Sequence, residues 1–122
     1  MTRTLGAIAL VWLTFYVIPF GVYAAFSALG GLRAPPGSPI RFLLSVAVSK
    51  LGHALAFVLL FRMADAAFAD NWPVYALIWW VMFAIGEVGQ AIGPSYSWKE
   101  ALAGLISETA YFPLGAWIVS RL

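Results

Sequence analysis

The stretch LGAIALVWLTFYVIPFGVYAAFSAL, residues 5–29, decides the fold. It runs for 25 residues without a charged side chain. At 1.5 Å per residue, a helix of that length crosses a hydrocarbon core of about 30 Å with some to spare. A secretory signal carries an apolar stretch of only about 7–15 residues, so the run reads as a retained transmembrane helix. Working outward, three further apolar segments cover approximately residues 41–62, 72–92 and 98–120. They are separated by a Pro/Gly-rich break at 30–40, a break with two aspartates at 63–71, and a short one at 93–97. In lipid a backbone N–H or C=O has no water to bond, and four spans are too few for a closed barrel, so each must be a helix. The sequence therefore predicts an all-α membrane protein, a four-transmembrane-helix bundle with short loops, as a single integral domain over residues 1–122.

Composition agrees with that reading. The chain is 63% hydrophobic and 10% charged, against about 25% charged residues in a soluble domain, so it cannot clothe its own surface in polar groups and must face lipid. The net charge is +2, carried by scattered single basic residues. No patch follows a phosphate backbone, and nucleic acid is excluded as an expected partner. The absence of cysteine removes disulfides, thiol nucleophiles, Cys-type zinc sites and iron–sulfur clusters. One histidine, His53, disfavours bis-histidyl haem within the chain and leaves open a single axial ligand shared with another subunit; no cofactor is expected. No metal is expected either, because Lys50 one turn away would repel the cation. Phosphate-binding glycine loops, nucleophile elbows and zinc-helix signatures are all missing, and the two helix pairs show no internal repeat. The chain is similar in size and helix number to the small multidrug exporters, but its first span lacks the lone acid that marks them.

Local signals support the span ends. Ser97 and Glu100 have capping-box spacing ahead of the fourth span, and Pro73 suits the first turn of the third. Trp72, Trp98 and Trp117 fall near span ends, where an indole buries its ring and keeps its N–H wet. The six Trp, five Tyr and nine Phe are expected mostly at lipid-facing and interfacial positions. Pro19 and Pro113 lie inside the first and fourth spans, where each removes a backbone hydrogen bond. Lys and Arg divide three against three: Arg3, Arg62 and Arg121 on one side, Arg33, Arg41 and Lys99 on the other. The positive-inside rule thus leaves orientation undecided, a balance that an antiparallel, inserted-both-ways dimer would need. The expected location is an integral, multi-pass position in the cytoplasmic (plasma) membrane.

The informative residues are the ionisable and polar ones inside the spans: Lys50 and His53 in the second, Glu87 and Gln90 in the third, and Glu108 in the fourth. Counted from the side that holds the first and third loops, Lys50 lies about 14 Å deep, Glu108 about 15 Å, Glu87 about 8 Å and His53 about 18 Å. Lys50 and Glu108 therefore meet near the midplane. Glu108 shares a helix face with Ala101, Gly104, Tyr111 and Gly115, small residues that admit a close neighbour, so it is expected to look into the bundle. Ser45, Ser49, Gly52 and Ala56 form a comparable small stripe on the second span. Tyr23 in the first span is a hydrogen-bonding candidate for Glu87.

A charge at the bilayer centre costs about 2.5–3.5 kcal/mol even on the lenient insertion scale, so Lys50, Glu87 and Glu108 all require partners. The simplest arrangement pairs Lys50 with Glu108 and leaves Glu87 to Tyr23, Gln90 or His53. The candidate proton, ion or substrate site is then Lys50, His53, Glu87, Gln90, Glu108, Tyr23 and Tyr111. Three functions fit. One is a homo-oligomeric transporter or channel for a small solute, linked to protons or ions, in which Glu87 or Glu108 changes protonation. A second is a non-catalytic subunit of a larger membrane complex, with Lys50 and Glu108 as a structural ion pair. The third is a membrane-embedded acid/base enzyme of isomerase type on a lipid-like substrate. Glu87 and His53, at depths about 10 Å apart, sit far for its two titrating groups.

Overall fold

The computed structural model describes residues 1–30, 32 and 37–122; Arg33 and the Pro35-Pro36 pair lie outside them. Five helices follow in order: α1 Thr2–Ala28, α2 Pro39–Met63, the single turn α3 Asp65–Phe68, α4 Trp72–Ile92 and α5 Trp98–Arg121. The four long ones match the four expected spans in length and hydropathy and pack as a bundle. α2 starts two residues earlier than its apolar run, because Pro39 lacks an N–H and has the φ of a helix, which suits a first-turn position. Pro73 plays the same part in α4. At α5 the capping box forms as its spacing predicts: Ser97 Oγ accepts from Glu100 N at 3.1 Å, and Glu100 Oε1 accepts from Ser97 N at 3.4 Å. α1 ends where Gly30 takes φ +78° and returns its N–H to Ser27 O, a left-handed position that glycine adopts without a Cβ penalty. Both α1 and α5 continue as helix through Pro19 and Pro113.

The end of α1, the start of α2 and the α4–α5 connection lie at one end of the bundle, here the hairpin end. Both chain termini and α3 lie at the other, the terminal end. α5 is the central helix: 50% of its apolar window is buried inside the bundle, against 17–22% for the other three, whose remaining surface is apolar and suited to lipid. Ala101, Gly104, Glu108, Tyr111 and Gly115 are all buried, so the small-residue face of α5 does turn inward. A Cβ at position 115 would stand 2.9 Å from Phe15 Cε1; glycine here lets the ring of α1 lie on the backbone of α5.

The core differs from expectation in being aromatic. Phe15, Phe57, Phe61, Tyr75, Tyr111 and Phe112 are buried and meet in edge-to-face and tilted pairs, among them Phe15–Phe57 at 5.1 Å, Phe57–Tyr75 at 4.9 Å and Tyr111–Phe112 at 4.6 Å. Small residues on α5 leave space between helices that only large rings from α1, α2 and α4 fill. The small stripe of α2 lies on the other side: Ser45, Ser49, Gly52 and Ala56 are exposed on the bundle's exterior. The inward face of α2 is carried instead by Ala54, Phe57, Val58 and Phe61. Trp98 and Trp117 remain exposed near span ends, as interfacial anchors do, while Trp72 packs against the core. Asp65, which opens α3, and Asp70, just after it, are exposed.

Candidate functional site

Glu87, on α4 one and a half turns from its hairpin-end terminus, is held from two directions. Its carboxyl group lies directly over Gly104 of α5, where any Cβ would overlap it. Its Oε2 accepts the Tyr96 hydroxyl at 2.6 Å, at the short end of O–H···O distances. Tyr96 stands in the α4–α5 connection. Burial, and after it the hydrogen bond to Glu87, pushes its phenol above the ordinary range, so it stays protonated and donates. Its single proton is thereby committed to Glu87, so in the 3.0 Å contact between the hydroxyls of Tyr23 and Tyr96 Tyr23 is the donor. Both hydroxyls also approach the Glu100 carbonyl, at 3.3 and 3.2 Å. Sequence reading connected Tyr23 with Glu87 directly; the structure places Tyr96 between them.

Glu108 lies one helical turn beyond Gly104 on the same face of α5, 3% exposed, with its carboxyl within hydrogen-bonding reach of Glu87. Its Oε1 is buried without a partner. The expected ion pair of Lys50 with Glu108 does not form. Lys50 Nζ instead donates to the Tyr111 hydroxyl at 3.2 Å and stands 4.8 Å from the centre of that ring. Tyr111 follows Glu108 by three residues on the inner face of α5 and reaches Lys50 first, because a phenol is longer than a carboxylate side chain. The shared depth of Lys50 and the Glu108 turn is retained; the bond runs through Tyr111.

The remaining candidates are set apart from this line. His53 stacks edge-on against Phe83 at 5.4 Å, and its Nδ1 has no hydrogen-bond partner. Gln90 is exposed on α4 and makes no side-chain bond among the described residues. Trp80, which shares a helical face with Glu87 in sequence terms, donates its indole N–H to Thr109 Oγ1 at 2.9 Å, while Trp79 packs on the aromatic core.

Three groups from the site line a cavity of about 660 Å³ at the hairpin end between α1 and α2: Tyr23, Tyr96 and Lys50. Toward the terminal end the interior closes. Phe57, Tyr75, Trp79 and Phe112 pack ring on ring, and the Tyr75 hydroxyl is tied to the Phe57 carbonyl.

Sequence reasoning missed Tyr96 and the part played by Gly104. Tyr96 sits in a connection between spans, where nothing in the sequence aims it inward. Gly104 was visible as a small residue on the Glu108 face, but not as the seat of a carboxyl from another helix. Fold and interior together define a small multi-pass membrane protein. No family model, curated protein or solved structure matches this chain.

Proposed function

We propose that this chain links the movement of protons to the passage of a small solute across the bilayer, with Glu87 and Glu108 as its proton-binding pair. The observation that supports this reading is the line Tyr23–Tyr96–Glu87–Glu108, which runs from the hairpin end into the buried centre. Hydroxyls that both donate and accept pass protons along such a line, and intramembrane carboxyls serve as relay stations in pumps and transporters. Two neighbouring carboxyls inside a low-dielectric bundle repel strongly when both are charged. Their proton occupancy is therefore sensitive to any change of charge nearby, and Lys50 is the cation close enough to act on Glu108. The aromatic closure at the terminal end makes this an arrangement open toward one side.

Reconstituted liposomes with an internal pH dye and a potassium diffusion potential provide the test. The native chain is expected to carry protons, and Glu108→Gln and Glu87→Gln each to remove most of that flux while the bundle remains helical and monodisperse. Unchanged, equally pH-dependent flux in both variants would exclude the pair from the mechanism.

A second reading, that the chain is a subunit of a larger assembly, is favoured by the outward stripe Ser45, Ser49, Gly52 and Ala56 on α2, since small residues at that spacing admit a close helix in a membrane. Native mass spectrometry of gently extracted protein separates the two. Copies of this chain alone support a homo-oligomeric transporter, and stoichiometric recovery of other polypeptides supports the subunit.

A further inference from the structure

The cavity of about 660 Å³ falls within the range of small-molecule sites, about 300–1,000 Å³, and its lining is unequal. Most of its wall is apolar, with Pro19 and Phe20 from α1 and Leu43 and Val46 from α2. Its tyrosine hydroxyls are already engaged: Tyr16 donates to Leu43 O at 3.4 Å, Tyr23 to Tyr96, and Tyr96 to Glu87, while Ser27 and Ser95 add hydroxyls toward the hairpin end. Two charged residues among those described reach the lining, Lys50 and Glu100. Glu100 is turned into its capping box, with Oε1 3.0 Å from Ser97 Oγ. Lys50 stands eleven residues into α2, about 16 Å along the helix from Pro39, which makes it the deepest α2 residue of the lining.

An ammonium group has three donors, and Lys50 uses one, on Tyr111. All five acidic side chains of the protein belong to the described residues, yet none places a carboxylate oxygen within 4.0 Å of Lys50 Nζ. A cation at this depth, facing a roomy cavity with two donors uncommitted, is charge-matched by an anion from outside the chain. The wall beside Lys50, formed by Pro19 and Val46, replaces none of the water of a hydrated inorganic anion, because the serine hydroxyls lie nearer the hairpin end. An organic cation would meet the like charge of Lys50.

We propose that this cavity binds an organic acid with an apolar body, its carboxylate on Lys50 Nζ and its body against Phe20, Leu43 and Val46. This deepens the transport reading and rests on it for one step: the bound anion cancels the field of Lys50 at Glu108, so the carboxyl pair takes up a further proton and acid and proton move together.

The test is isothermal titration of the full chain in lipid nanodiscs, with empty nanodiscs subtracted, against 4-phenylbutyrate, palmitate and the neutral isostere 4-phenylbutanol. The acids are expected to bind, and the alcohol to bind about 30-fold more weakly, as the loss of one partner from a desolvated charge contact implies. Lys50→Gln should weaken the acids by a similar factor and leave the alcohol unaffected. Val46→Trp, which fills the cavity and leaves every charge in place, should remove acid and alcohol alike. A preference for palmitate identifies the bilayer as the source of the acid, and a preference for phenylbutyrate identifies the water phase; either supports the site. Equal binding of acid and alcohol by the native chain, or acid binding untouched in Val46→Trp, overturns it. The two readings fail separately: acid binding without proton flux overturns the transport reading alone, and proton flux without acid binding overturns this site alone.

Discussion

The two halves of the bundle interior differ in how they tie down their polar groups. In the hairpin-end half, half-buried hydroxyls and carboxyls meet one another, Tyr23 with Tyr96, Tyr96 with Glu87, and Glu87 beside the buried Glu108, and Tyr16 ends on the Leu43 carbonyl. In the terminal-end half they finish on backbone carbonyls, Tyr75 on Phe57 and Arg62 on Val119, the latter at 3.4 Å, amid close-packed rings. A side chain bonded to a carbonyl has a fixed partner that does not titrate, so it adds rigidity. Side chains bonded to one another exchange partners whenever a proton moves, and so remain responsive. The same chain thus builds an aromatic plug and a line of hydrogen-bonded side chains within one bilayer thickness, and Lys50 with Tyr111 marks the boundary.

Three substitutions break or sharpen this contrast. The largest effect is expected from Phe57→Ala, because the ring is fully buried and touches Phe15, Tyr75, Trp79 and Phe112. Unfolding in mixed detergent micelles should show a loss of about 3–5 kcal/mol. The surviving folded fraction should leak protons, since the plug is opened; a tight, fully stable variant would show that the rings do not seal this end. Gly104→Ala comes next. The new methyl occupies the place of the Glu87 carboxyl, which must swing away from Tyr96. Overpacking of this kind costs about 1–3 kcal/mol, and proton flux should fall more than stability does. Infrared difference spectra of the carboxyl region would report the displacement, and an unchanged carboxyl spectrum would place the Glu87 head elsewhere. The smallest effect belongs to Gln90→Leu. Gln90 is exposed and unbonded among the described residues, so stability should change by less than about 0.5 kcal/mol and flux should match that of the native chain. A large loss of flux would return Gln90 to the site.

Much of the architecture was legible before any coordinates. Glu108 could be assigned to the interior because Ala101, Gly104, Tyr111 and Gly115 recur with it on one helix face, and all five are buried. The depth of Lys50 could be counted because helical rise is constant. The same kind of counting misplaced the small stripe of α2, since Ser45 and Gly52 suit a close neighbour equally well inside the bundle or on its outer face. It also paired Lys50 with the nearest opposite charge, when the longer Tyr111 side chain intervenes.

The sequence by itself determined the four spans, their ends and the presence of charge at mid-membrane. These follow from how each segment interacts with water or lipid, a property of residues taken one segment at a time. The tertiary structure alone decided which side chains meet: Tyr96 brought from a connection onto Glu87, a carboxyl seated on Gly104, and an aromatic plug under a cavity that holds Lys50. Such meetings depend on the rotation of each helix about its axis and on the path of a connection, which are settled by the packing of all the helices together.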